Sequence, residues 1–137
     1  MLMVSPNWRM VMYKRILLAV NQSVSSQWAL DAAVAQAHDG DAVVRVVCVP
    51  GAEADPRGIK AKEVVDAAVA ELRAEGIEAE GHVHPDLGSR VVPAVLDEVD
   101  DFAPDLLVVG TSWLRDLPNR VPELLAAKAP CSVLIAA

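Results

Sequence analysis

Aromatic residues, basic charge and long apolar runs are all scarce in this chain. Three Trp, one Tyr and one Phe make up 4% of 137 residues, whereas 53% are apolar, so the core must be aliphatic. No apolar run approaches the ~20 residues of a membrane-spanning helix, and the start lacks the apolar segment of a signal peptide. A net charge of −7 disfavours attraction to nucleic acid or anionic lipid. The composition predicts one cytoplasmic domain with neither nucleic acid nor membrane as partner.

Cysteine is also rare. Cys48 and Cys131 both lie within apolar runs, where unpaired cysteines are commonly buried. We expect two structural thiols in a reducing compartment and no disulfide.

Apolar runs rich in β-branched residues alternate with segments of helical periodicity. Strands are predicted at 14–20, 42–49, 77–84, 106–109 and 131–136, and helices at about 25–38, 59–75, 89–102 and 119–128. This βα alternation predicts an α/β fold with one doubly wound parallel sheet and helices on both faces. The third strand alternates apolar and polar residues, which is typical of an edge strand with one solvated face.

Residues 1–11 show no clear period and precede the first predicted strand. We interpret them as a disordered leader or a mis-assigned start, with residues 12–137 forming the domain. Termini are commonly loose unless something holds them. The alternative is that Trp8 packs on the domain or on a partner.

In doubly wound folds, ligands bind beyond the carboxyl ends of the strands, where the strand order reverses. The loops that follow the predicted strands contain no Ser/His/Asp or Cys/His set and no cluster with metal-ligand spacing. We therefore expect no catalytic residues and no metal. His82 and His84 share one face of the third strand, with Asp86 nearby, but two ligands are a weak metal signal that a solvated face also explains.

Three motifs in order resemble the universal stress protein family: residues 12–23 (MYKRILLAVNQS), 105–110 (DLLVVG) and 129–135 (APCSVLI). The resemblance spans residues 12–137. It implies a five-stranded sheet in the order 3-2-1-4-5, the fold of adenine nucleotide α-hydrolase-like proteins. It also implies a non-enzymatic, cytoplasmic role in stress response or regulation.

The nucleotide loop departs from the pattern of the ATP-binding members. In those members the fourth-strand glycine begins the pattern glycine, two residues, glycine, nine residues, glycine, then serine or threonine. Gly110 matches the first position, but Trp113 and Glu123 stand where glycines belong, and no glycine follows Gly110. Glycines let backbone N–H groups approach phosphate oxygens closely. We therefore predict a degenerate nucleotide site that does not bind ATP in the usual mode and has no cofactor.

The alternative interpretation is a member that binds ATP or AMP through a divergent loop, with weak hydrolysis. The first-strand aspartate and glycine of the family pattern are Asn21 and Gln22 here. If a nucleotide binds, the resemblance places it against a set spread over three strand ends: Asn21, Val49, Gly110, Thr111 and Ser112. The indole of Trp113 either fills the former phosphate position or lines a pocket for a flat ligand.

The last strand offers a second functional surface. Residues 131–137 carry no charge, and in the implied strand order they lie at the sheet edge, where an exposed strand pairs or aggregates. The resemblance implies that two copies pair through this strand. We expect a two-fold symmetric homodimer whose contact is made by Cys131, Val133, Leu134 and Ile135.

Overall fold

The computed structural model describes residues 2–4, 12–21, 23–50, 55, 57–85, 91–110 and 121–137. In chain order its elements are β1 (Leu2–Val4), β2 (Arg15–Ala19), α1 (Val24–Gly40), β3 (Val43–Cys48), α2 (Ile59–Ala74), β4 (Glu78–Val83), α3 (Val91–Phe102), β5 (Leu106–Gly110), α4 (Val121–Lys128) and β6 (Ser132–Ala136).

The sheet has the order β1-β6-β5-β2-β3-β4. Strands β2 to β6 are parallel to their neighbours and follow the predicted order 3-2-1-4-5, which confirms the α/β doubly wound fold. The chain crosses to one side of β2 through β3 and β4, then returns to its other side through β5 and β6. The strand order therefore reverses between β2 and β5, which makes their carboxyl ends the natural ligand position.

Two aliphatic cores lie on opposite faces of the sheet. Helices α1 and α2 pack on one face around Leu18, Val46 and Leu106, and helices α3 and α4 pack on the other around Leu17, Val47 and Leu107. The central strands are buried on both faces because adjacent side chains point to opposite helix layers. This explains why their sequences are almost entirely apolar.

The amino-terminal residues differ from the expected leader. Leu2–Val4 forms a strand that pairs antiparallel with β6, with Leu2 opposite Ile135, Met3 opposite Leu134 and Val4 opposite Val133. The expectation of disorder is therefore wrong for these three residues, because the outer side of β6 offers backbone groups that they can pair with. Trp8 lies outside the described residues.

Two smaller expectations also change. Helix α1 runs from Val24 to Gly40 with Ser23 as its N-cap residue, so it begins before and ends after the predicted 25–38. Cys48 is buried, but Cys131 is only partly buried, and neither forms a disulfide. Burial raises the pKa of the Cys48 thiol to about 11 and also raises the pKa of Cys131, so neither cysteine has the character of a reactive thiolate.

Candidate functional site

The carboxyl ends of three neighbouring strands carry the predicted site residues that the structure describes. Asn21 follows β2, Val49 follows β3 and Gly110 ends β5. Asn21 and Gly110 flank the reversal of strand order, so the fold brings these positions to one edge of the sheet. Thr111, Ser112 and Trp113 lie outside the described residues.

Asn21 is held by the first turn of α1. Its side-chain Oδ1 accepts hydrogen bonds from the hydroxyls of Ser23 and, at 2.9 Å, Ser26. Its backbone N–H donates to Ser26 Oγ at 2.8 Å. An amide oxygen has two lone pairs, and the two serines use both. A ribose hydroxyl that donates to this oxygen would have to displace a serine.

Gly110 allows the end of β5 to approach α1 closely. A Cβ added at Gly110 would clash with Ser25 Oγ and lie 2.6 Å from Ser25 O and 2.8 Å from Ser25 C. Two of these atoms are backbone atoms, which cannot rotate away. Helix packing therefore accounts for this glycine without any ligand.

Carboxylates lie at the starts of two other helices near this edge. Asp55 is buried, and its carboxylate accepts the backbone N–H groups of Lys60 at 3.2 Å and Ala61 at 2.8 Å. Glu123 is exposed in the first turn of α4. A helix start attracts one negative group. The start of α2 already has the Asp55 carboxylate, and the first turn of α4 carries Glu123.

The Asp55 cap was not predicted from the sequence. Asp55 precedes α2 by four residues, while the N-cap position itself is Gly58 in the left-handed region, φ 68°. Side-chain capping is normally recognised at the N-cap residue. No simple spacing rule could have identified Asp55.

We expect Asp55→Ala to destabilise the fold by about 1–2 kcal/mol, the usual range for a lost helix cap. The reason is that two buried N–H groups at the start of α2 lose their acceptor. Urea unfolding at pH 7 measures the change. Exposed Asp66 on the same helix supplies the control Asp66→Ala, which should cost less than about 0.5 kcal/mol. Equal losses for the two variants would contradict the capping role.

A groove of about 230 Å³ opens between α1 and α2 beside Asn21. Its walls are mainly apolar, and Gln27 and Glu71 face each other across it at 3.4 Å. Typical ligand pockets occupy ~300–1,000 Å³. The volume of this groove lies below that range.

Two acidic side chains of α3 reach the histidines at the end of β4, on a face that the sequence pattern predicts to be solvated. Nε2 of His82 is 3.0 Å from Glu98 Oε1, and Nε2 of His84 is 3.8 Å from Asp97 Oδ2. His84 and Glu98 are both buried. The predicted solvated face is therefore wrong at His84, whereas the side chain of His82 is 44% exposed.

Arg45 on β3 completes this cluster. Its guanidinium donates to Glu80 at 2.9 Å and to Asp101 at 2.8 Å, and its Nη1 lies 4.0 Å from Glu98 Oε2. That carboxylate oxygen has no hydrogen-bond partner among the described residues. Burial raises the pKa of Glu98, while His82, His84 and Arg45 oppose the increase.

The histidines therefore have carboxylate partners on α3. Within the described residues, no group of three or more His, Cys, Asp or Glu is arranged to hold a metal ion. Asp86, the possible third ligand, lies outside the described residues. In the same described part, no helix is both long and apolar enough to cross a membrane.

Comparison with known proteins agrees with the sheet order and motif positions. The model of the universal stress protein family matches residues 12–137. The chain belongs to the universal stress protein family. A universal stress protein of Staphylococcus epidermidis is 30% identical, in an alignment that covers 92% of this chain and 85% of that protein.

Solved universal stress protein structures share the fold. One from Archaeoglobus fulgidus in complex with dAMP is 28% identical, with a TM-score of 0.73, and the match covers 93% of this chain and all of that chain. Another, in complex with cAMP, has a TM-score of 0.74 over 93% of this chain and 98% of its own. At 24% identity the second comparison supports the fold alone.

Proposed function

We propose that this universal stress protein domain is a non-enzymatic, cytoplasmic regulator that acts through protein contacts, including contacts with a second copy of itself. In this proposal the nucleotide site is degenerate and does not hold ATP in the usual family mode. The observation that carries it is the carboxylate of Asp55, which already accepts the N–H groups at the start of α2.

Three further features support the loss of phosphate binding. Asn21 Oδ1 is already hydrogen-bonded to Ser23 and Ser26, Glu123 places negative charge on the first turn of α4, and no glycine follows Gly110. The net charge of −7 adds repulsion for a polyanion. Each feature weakens a different contact that a nucleotide needs.

We expect less than about 1 °C of thermal stabilisation when 1 mM Mg-ATP is added to the nucleotide-stripped protein. A ligand at 100 times its Kd would stabilise the fold by ~2.7 kcal/mol, a shift of several degrees for a domain of this size. Differential scanning fluorimetry with ATP, ADP and AMP measures this shift. The Archaeoglobus fulgidus relative that binds dAMP, melted with dAMP, is the positive control. A shift of several degrees with ATP would overturn the proposal.

The second candidate function is binding of AMP or another adenine nucleotide, with weak hydrolysis in the case of ATP. Asn21, Val49 and Gly110 at neighbouring strand ends favour it, as does the relative that binds dAMP. AMP carries fewer charges than ATP, so a melting shift with AMP but not ATP would identify this candidate. A shift with ATP followed by phosphate release would identify the hydrolytic form.

A further inference from the structure

The two edges of the sheet differ in charge. At one edge, β4 exposes Glu78, Glu80 and His82, and charged side chains of this kind discourage pairing with another sheet. At the other edge, β1 covers β6, whose residues Ser132–Ala136 are all uncharged. Charge therefore discourages edge pairing at β4, whereas among the described residues the outer side of β6 is covered by β1.

The cover provided by β1 is short. It pairs with three residues of β6, Val133 to Ile135, and leaves Ser132 and Ala136 at the two ends unmatched by β1. The side of β6 that faces β5 pairs along the whole strand, from Ser132 to Ala136. A three-residue edge strand contributes few backbone hydrogen bonds, so a longer competitor can replace it.

The chain can supply β1 to its own sheet. β1 ends opposite Val133, near the amino end of β6. β2 also begins at the end of the sheet where the parallel strands start. Three strand spacings separate β1 from β2, about 14 Å at ~4.8 Å each. The eight residue steps from Val4 to Met12 reach about 26 Å when extended. The reach of the chain thus permits pairing within one molecule.

A second copy of β6 is a matched competitor for this edge. Antiparallel pairing of two β6 strands centred on Leu134 would place Leu134 opposite itself and Val133 opposite Ile135. This arrangement has two-fold symmetry, brings no charges together and pairs all five residues, Ser132–Ala136, of each copy. The centre is the residue that Met3 now faces.

We propose that β1 is a displaceable cover for β6 and that its release exposes the edge through which a second copy of the chain pairs. This inference rests on the self-association included in the proposed function. The partner is a second copy, because β6 is uncharged and self-complementary. The cover sets the concentration at which dimers form.

Sedimentation equilibrium at 1–100 μM tests the cover in the full-length chain. In the variant Met3→Pro/Val4→Pro, one proline removes an N–H that faces β6, since successive residues of a strand point alternately toward and away from the partner. The matched control, Met3→Thr/Val4→Thr, keeps both N–H groups and strand propensity. We expect the dimer Kd of the proline variant to be at least tenfold lower than those of wild type and control.

A second release variant, Leu2→Gly/Met3→Gly/Val4→Gly, guards against a folding defect and should change Kd in the same direction. Circular dichroism and melting identify any unfolded variant. Equal Kd values for all the chains would overturn the cover but leave self-association intact. Weaker dimers in the release variants would also overturn it, because β1 would then bridge two copies. Monomers throughout, up to 100 μM, would overturn both the cover and the self-association in the proposed function.

Discussion

Gly110→Ala is expected to destabilise the domain by about 3 kcal/mol, the upper part of the usual range for an overpacked core. The added Cβ would lie 2.6 Å from Ser25 O, which belongs to the first turn of α1. The helix start and β5 must separate, and each is anchored by its own buried side chains. Thermal unfolding should show a loss of roughly 10 °C.

Gly81→Ala is the matched control. A Cβ at Gly81 would clash with a methyl group of Val65 and lie 3.2 Å from one of Val69, and these are side-chain ends that can move. We expect a loss of about 1 kcal/mol, and Val65→Ala combined with Gly81→Ala should relieve the clash itself. If Gly110→Ala lowers the free energy of unfolding no more than Gly81→Ala does, β5 and the start of α1 can move apart easily, which would contradict this prediction.

The Gly110 variant also bears on the site. Ser25 lies between Ser23 and Ser26, whose hydroxyls hold Asn21 Oδ1. Movement of this turn should loosen Asn21, and the amide resonances of residues 21–26 should shift in NMR spectra. Unchanged resonances with reduced stability would confine the effect to packing at the end of β5.

The sequence predicts the five parallel strands and their helices well because each central strand is a short, mainly apolar run. Leu106–Gly110 is buried along its whole length, and the apolar run of Val43–Cys48 is interrupted only by Arg45. The resemblance supplied the strand order, which local patterns do not determine. The described part of the candidate site followed from that order, since strand ends determine which loops meet.

The features that sequence reasoning missed depend on tertiary contacts. Glu98 is one of the buried residues of α3, and only the tertiary placement of this helix brings it next to His82. Leu2–Val4 has no periodic pattern and forms a strand because β6 is available. Asp55 caps a helix from outside the usual position. In each case the partner is distant in sequence, or the spacing is unusual, so periodicity carries no signal.

Arg45→Met is expected to destabilise the domain by about 2 kcal/mol at pH 7, between the small cost of losing exposed ion pairs and the cost of breaking a fully buried one. Methionine keeps an apolar stem but removes the cation nearest Glu98 Oε2 and the guanidinium stacked 4.6 Å from the centre of the Phe102 ring. His82 remains beside the other carboxylate oxygen. Urea unfolding at pH 7 and pH 4 measures the loss.

The expected pH dependence follows from the raised pKa of Glu98. Burial disfavours the charged carboxylate, with Asp101 adding to this effect and His82, His84 and Arg45 opposing it. When a carboxyl group has a higher pKa in the folded state than its unfolded value of ~4.3, the folded protein loses stability as the pH rises from the unfolded pKa to the folded pKa. Removing Arg45 raises the folded pKa further, so the difference between wild type and Arg45→Met should widen toward pH 7 and shrink near pH 4.

The double variant Arg45→Met/Glu98→Gln separates charge from packing. Glutamine retains the shape of the side chain without its charge, so the double variant should cost only about 1 kcal/mol. Glu98→Gln would then recover about 1 kcal/mol in the Arg45→Met background. A loss that is the same at pH 4 and pH 7, and that Glu98→Gln does not reduce, would contradict the buried-charge account. Arg45 would then stabilise the fold through its contact with Phe102. The charge of Arg45 would not be needed to balance the carboxylates of α3 and the two histidines.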